Sequence, residues 1–217
     1  MFDVQFARRQ MIEQQVRAWE VLDPRVLEAL QQVPREEYVP GAYREMAFAD
    51  TAVPLGHGQS MLSPMLEGRI LQALEIQPHE YALEVGTGSG FFAACLGRLA
   101  RSVRTIDLFA DFTGAARAAF ERTGIHNVVA ATADAMQLAE RETYDVIALT
   151  GSLPVYVERF EQALRIGGRL FVAVGSGPLL EGLRVTRTGP SDWSRETLFE
   201  TGMPALINAP EPSRFVF

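Results

Sequence analysis

Three glycines at alternate positions, Gly86, Gly88 and Gly90, separate two apolar runs of different period. Glycine at this spacing turns the main chain sharply and leaves no Cβ to hold a ligand off the backbone. Asp107 closes the next apolar run, where a carboxylate can accept hydrogen bonds from two vicinal hydroxyls such as those of a ribose. Asp134 stands after a third run and offers an acceptor to an exocyclic amine. Its competing reading is the N-cap of a short helix over 135–139. Upstream, residues 50–64 form a long stretch rich in turn formers and small polar groups, with few charges. Such a segment beside a ligand loop reads as a substrate-binding loop or as a plain connector.

The elements that must position these residues follow from periodicity. Residues 81–85 read as a buried strand, and Phe91, Phe92, Cys95, Leu96 and Leu99 fall at helical spacing. Strand, glycine turn and helix together aim free backbone N–H groups at the carboxyl end of a sheet. Beyond them the chain alternates. A strand is predicted over 102–106, a helix over 110–122 ended by Gly124, and strands over 128–131 and 144–149. A helix over 155–165, closed by Gly167 and Gly168, precedes a strand over 169–174. Two short strands, 183–187 and 195–199, are predicted to pair antiparallel across the turn at Gly189 and Pro190, and the tail after Pro204 reads as loose.

Ahead of the core, Met11, Ile12, Val16 and Trp19 share one predicted helical face. A second helix starts at Asp23 and Pro24, buries Val26, Leu27 and Leu30, and ends at Pro34. A short helical piece is expected over 42–48. Ser63 as N-cap and Pro64 at the first turn open a further helix. The expected organisation is a helical extension with the polar loop over 1–62, packed on an α/β unit over 63–217. That unit is a doubly wound, mostly parallel sheet.

Composition narrows the functions. With 217 residues, 47% hydrophobic and 22% charged, the chain reads as an ordinary soluble globular protein. Its net charge of −7 and scattered basic residues argue against nucleic-acid binding. There is no apolar run of transmembrane length, and Met1 to Gln5 lack the layout of a secretory signal, so no membrane association and a cytoplasmic location are expected. Cys95, the single cysteine, excludes an internal disulfide and lies on an apolar helical face. His57, His79 and His126 have no neighbours at ligand spacing, so no metal site is expected.

A dinucleotide fingerprint would need its third glycine where Phe91 stands. The G-x-G-x-G that remains resembles the loop of S-adenosyl-L-methionine-dependent methyltransferases. Nearly the whole chain, from Met11 to Arg187, resembles the protein-L-isoaspartate O-methyltransferase family, which methylates isoaspartyl carboxylates during protein repair. The residues that carry this are Val33-Pro34-Arg35, Tyr38-Val39-Pro40, Ala47 to Asp50, Pro54-Leu55-Gly56-His57-Gly58-Gln59, Leu83 to Phe91, Gly167 to Leu170 and Val174-Gly175. The resemblance implies a seven-stranded sheet with an N-terminal helical extension, in a cytosolic monomer or weak dimer acting on isoaspartyl peptides and proteins. It implies cofactor contacts at Glu84, Gly86, Thr87, Gly88 and Gly90, then at Asp107, Leu108, Asp134 and Ala135. Acceptor contacts are implied at Gly58, Gln59, Leu62 and Thr150.

The acceptor side departs from the family pattern. Where the family commonly reads Gln-Thr-Ile-Ser-x-Pro, this chain reads Gln59-Ser60-Met61-Leu62-Ser63-Pro64. Leu62 takes the place of the family serine, which leaves Ser60 and Ser63 as the candidate catalytic hydroxyls. Ala133-Asp134-Ala135 replaces Gly-Asp-Gly, Asp107 stands where glutamate is usual, and no glutamine-bearing loop follows Gly175. The expected activity is therefore isoaspartyl O-methylation. The alternatives are methylation of another carboxylate or small molecule, and cofactor binding without transfer.

Overall fold

The computed structural model describes residues 3–212; Met1, Phe2 and the end of the tail predicted to be loose lie outside them. Seven strands form one sheet, in the spatial order 128–132, 102–107, 81–85, 144–149, 164–174, 180–187, 193–201. Here β3 is Tyr81–Val85, β4 Ser102–Asp107, β5 Val128–Thr132, β6 Tyr144–Leu149 and β7 Leu164–Val174. The last two, β8 (Leu180–Arg187) and β9 (Trp193–Thr201), are the antiparallel pair expected from sequence. β3 pairs in parallel with both β4 and β6, so the strand order reverses between β3 and β6. A crevice opens at the carboxyl ends of strands at such a reversal.

Helices α4 (Phe91–Leu99) and α5 (Ala110–Thr123) cross between these strands where their periodicity placed them. α4 is apolar almost throughout, because Phe91, Phe92, Cys95, Leu96 and Leu99 are all buried. Gly124 ends α5 in the left-handed conformation that glycine tolerates best. The predicted helix over 155–165 shrinks to the single turn α6, Arg159–Gln162. Leu164 already pairs with Tyr144, and the sheet register then jumps to Val146 opposite Arg169. Gly167 and Gly168 thus lie within an irregular stretch of β7 rather than after a helix. Pairing of Leu164 with β6 outcompetes helical propensity at this end of the predicted helix.

The N-terminal extension packs along α4, with Arg35 over the Phe91 ring at its start and Arg25 donating to the Leu99 carbonyl at its end. α1 is Val4–Met11, and the chain widens into a π-helical turn over Ile12–Val16 before tightening at Arg17–Trp19. That change of pitch carries Trp19 off the face shared by Met11, Ile12 and Val16, and it ends 51% exposed. α2, Pro24–Gln32, is capped by Asp23 and buries Val26 and Leu30, with Leu27 partly covered. A 3-10 turn at Gly41–Met46 supplies the expected short helical piece.

Residues 50–64 are not the open loop read from composition. β1 (Val53–Gly56) and β2 (Gln59–Met61) form an antiparallel hairpin. Its tip, Gly56-His57-Gly58, has positive φ at all three residues. α3 follows as Pro64–Ala73, burying Leu66, Ile70 and Leu71. Ser63 holds the N-cap position, yet its hydroxyl makes no capping bond; Oδ1 of Asp50 accepts from the Met65 N–H at 3.4 Å instead.

The tail after Pro204 was expected to be loose. Its described part instead returns to the sheet. Ala205 bridges Ser152, Leu206 N–H donates to the Ser152 carbonyl at 2.9 Å, and the Asn208 amide donates to Asp134. Prolines prevented regular structure there, but backbone bonds to the loop after β6 still fix the segment.

Candidate active site

One cleft lies over the carboxyl ends of β3, β4 and β6. It is lined by Glu84, Gly86, Thr87 and Gly88 from the glycine turn and by Asp107 and Leu108 after β4. Asp134, Ala135 and Thr150 line it after the next two strands. The hairpin contributes Leu55 and Gln59 to Leu62, and the tail contributes Leu206 and Ile207.

The glycine turn packs too closely for a side chain at two points beside the cleft. A Cβ on Gly86 would stand 2.6 Å from the Thr150 hydroxyl, and one on Gly88 would meet the Leu55 methyl at 3.0 Å. Both residues also have positive φ, so side chains are excluded by space and by backbone conformation. Gly90 has a different task. It caps α4 and packs against Ala116 and Phe120, while Ser89 rather than Gly90 faces the cleft.

Asp107 is held in place before any ligand arrives. Its Oδ2 accepts from Gly88 N–H at 2.9 Å and its Oδ1 from Phe109 N–H at 3.0 Å. Each carboxylate oxygen retains a further lone pair for a hydroxyl. Asp134 realises its capping reading through Oδ1, which accepts from Met136 N–H at 2.8 Å, while Oδ2 accepts from Asn208 at 3.0 Å. Thr150 directs its hydroxyl at the carbonyls of Val85 and Gly86, which fixes the start of the turn.

Glu84 is the least ordinary group in the cleft. It is 1% exposed, its Oε2 accepts from the Thr105 hydroxyl, and Thr105 is bonded in turn to Thr87. Its Oε1 is buried with no partner among the described residues. Burial, then the nearby charges of Asp107 and Glu67, push its pKa well above the usual carboxylate range, although the Thr105 bond opposes this. A buried acceptor of this kind calls for a cationic or donor group from a ligand. S-adenosyl-L-methionine, with its cationic methionine end, its ribose and its amine-bearing base, matches this set of acceptors.

The hairpin is fastened on both sides of the cleft. At its tip, His57 stacks on Phe109 with ring centroids 4.0 Å apart, and its Nε2 lies 2.9 Å from Oδ2 of Asp111. Gly58 belongs to this tip and does not line the cleft. At its base, the Leu62 carbonyl accepts from Arg35 Nη2 at 2.7 Å, and Arg35 Nε donates to the Ala47 carbonyl at 2.9 Å. Arg35 also pairs with Glu67, both fully buried; burial lifts the Glu67 pKa to about 8 against the pull of Arg35. Leu62 itself is 6% exposed and faces the cleft beside Ser60, whereas Ser63 faces a separate groove.

Residues 7–190 match the family model described as protein-L-isoaspartate(D-aspartate) O-methyltransferase. A protein-L-isoaspartate O-methyltransferase of Koribacter versatilis is 39% identical over 201 residues, covering 92% of this chain and 90% of that one. The chain belongs to the protein-L-isoaspartate O-methyltransferase family. A second relative of that name, from Rhodopseudomonas palustris strain HaA2, is 36% identical over 214 residues, which is 94% of this chain and 87% of its own. In fold, the chain superposes on a Plasmodium falciparum protein of the same designation with a TM-score of 0.80. That match has 18% identity and covers 95% of this chain and 99% of the other, which was solved with S-adenosyl-L-homocysteine.

Methyltransferases of this family use S-adenosyl-L-methionine, and the acceptors in the cleft fit it. Sequence reasoning missed Phe109 and Phe112, which line the cleft and touch each other and His57. Their spacing just after Asp107 was a usable signal. Nothing in the sequence pointed to Leu206 and Ile207, because only the return of the tail brings them there. Among the described residues no helix is long and apolar enough to cross a membrane.

Proposed function

We propose that this chain methylates the carboxylate of L-isoaspartyl residues in damaged proteins, with the methyl acceptor entering between the hairpin and the glycine turn. The observation that carries this reading is the shared cleft. Gln59, Ser60 and Leu62 line the same space as Glu84, Gly88 and Asp107, so an acceptor held by the hairpin meets a cofactor held by the strand ends. When bound, S-adenosyl-L-methionine supplies an electrophilic methyl on a sulfonium, whose sulfur keeps the electron pair of the broken bond. In this reading Asp107 accepts from the ribose hydroxyls, Asp134 from the base amine, and Glu84 faces the cationic methionine end.

An acceptor carboxylate is already ionised at neutral pH, so no general base is required. The chain's own contribution is placement. Bringing nucleophile and methyl into line supplies up to about 7–11 kcal/mol in favourable cases. Ser60, at the junction of hairpin and cleft, is the hydroxyl best placed to bond the acceptor, and Ser63 serves the groove behind it.

Leu62 favours a second reading. Its buried apolar side chain stands where the family pattern has serine, which suits a less polar carboxylate acceptor. Transfer of tritiated methyl from S-adenosyl-L-methionine to isoaspartyl peptides and to matched aspartyl peptides separates the two. Label on isoaspartyl peptides alone supports repair. Cofactor binding with no label on either peptide overturns it in favour of another acceptor.

A further inference from the structure

Behind the hairpin lies a groove of about 360 Å³ that the cofactor reading does not use. Ser60 and Leu62 line both this groove and the cleft, so the two meet at the hairpin. Its walls are Trp19 from the N-terminal extension and Phe199 from the final strand of the sheet. Arg69 of α3 lies between them, its guanidinium carbon 4.0 Å from the Phe199 ring centroid and 5.9 Å from that of Trp19. Stacking of this kind uses the face of the guanidinium and leaves its edge N–H groups free. The Arg69 side chain makes no hydrogen bond or ion pair among the described residues, although Asp50 and Glu200 line the same groove. Elsewhere the chain pairs its arginines with carboxylates repeatedly, at Arg8, Arg35, Arg104, Arg169, Arg184 and Arg187.

We propose that this groove holds the polypeptide flanking the methyl-accepting residue, and that Arg69 anchors it by donating to main-chain carbonyl oxygens. This inference rests on the acceptor function proposed above. Three features select the occupant. Continuity with the cleft at Ser60 and Leu62 places any occupant next to the acceptor site. The aromatic walls suit a chain laid between them. Asp50 and Glu200 disfavour an acidic side chain at Arg69, whereas a peptide carbonyl carries only partial charge and suits the guanidinium edge. Reading the main chain makes Arg69 a determinant of peptide length rather than of sequence.

The test compares two acceptors, an isoaspartyl hexapeptide and a blocked isoaspartyl residue with no neighbours. Arg69→Met should raise KM for the hexapeptide about tenfold, as loss of a charge-assisted hydrogen bond does. It should leave kcat, affinity for S-adenosyl-L-homocysteine and KM for the blocked residue unchanged. Arg69→Lys, which keeps the charge but not the planar fork, should recover only part of the hexapeptide KM. A hexapeptide KM within twofold of wild type in Arg69→Met overturns the proposal, and so does an equal rise for both acceptors. A wild-type protein inert toward both acceptors overturns the proposed function and this subsite together. An active wild type indistinguishable from Arg69→Met overturns the subsite alone.

Discussion

Replacing Glu84 by Gln tests the cofactor site at its most buried charge. The carboxyl is closed off from solvent, and Oε1 has no partner among the described residues. Burial raises its pKa well above the usual carboxylate range, which favours the neutral acid. A cationic ligand group beside it favours the ionised form, and binding should therefore release up to about one proton. A charge-assisted hydrogen bond contributes about 1.5–3 kcal/mol, so Glu84→Gln should weaken S-adenosyl-L-methionine about 10- to 150-fold. Titration calorimetry in two buffers of different ionisation enthalpy reads both quantities. The apparent enthalpy should differ between buffers for wild type and agree between them for Glu84→Gln. Stability follows the same sign. Above about pH 4.5 the unfolded chain has shed this proton while the folded chain keeps it, so wild-type stability falls as pH rises toward the folded pKa. That slope is at most about 1.4 kcal/mol per pH unit, and Glu84→Gln should remove its share in urea titrations at stepped pH. Equal affinities with no proton release in either buffer would refute the assignment of Glu84.

The other predictions concern neighbouring groups. Asp107→Ala should lower S-adenosyl-L-homocysteine affinity about 10- to 100-fold by calorimetry, and should also lower the unfolding midpoint because the Gly88 and Phe109 N–H groups lose their acceptor; unchanged affinity removes Asp107 from the site. Gly88→Val should block binding, since its Cβ would press on Leu55 at a backbone φ of +47° that a branched residue resists; a variant that binds normally contradicts the role of the turn. Leu62→Ser should raise methyl transfer to isoaspartyl peptides about 2- to 12-fold, the range of one neutral hydrogen bond, in initial-rate assays; a fall instead shows that the apolar side chain serves the acceptor.

How much of this was legible in the sequence depended on how local each feature is. Strand, glycine turn and helix over 81–99 are contiguous, and each carries its own signal. β3 and α4 therefore formed with their predicted ends. Asp107 was legible because it closes an apolar strand, and one of its two backbone donors, Phe109 N–H, lies two residues on, while the other comes from the glycine turn. The hairpin was misread as loop because glycines at its tip and Pro54 in β1 mask two strands of four and three residues. Trp19 was misplaced because a π-helical turn is invisible to a 3.6-residue period. Arg35 and Glu67 look like ordinary surface charges in sequence; only folding brings residues 32 positions apart together as a buried pair.

That pair explains why the cofactor and acceptor halves of the site are built differently. The cofactor acceptors sit on strand ends, where parallel pairing on both sides of β3 leaves the backbone little freedom. The acceptor hairpin has no strand of the main sheet beside it. It is placed by Arg35 from below and by His57 stacked on Phe109 from above. Burying a guanidinium costs several kcal/mol unless its donors are met. Here the carbonyls of Ala47 and Leu62 and the carboxylate of Glu67 meet them. The same bonds tie the N-terminal extension, the hairpin and α3 to one side chain. Removing Glu67 leaves the buried guanidinium without its carboxyl partner, so the position of Leu62 is coupled to the packing of the whole extension. Under the proposed function the extension thus helps to place the acceptor, even though most of its residues never reach the cleft.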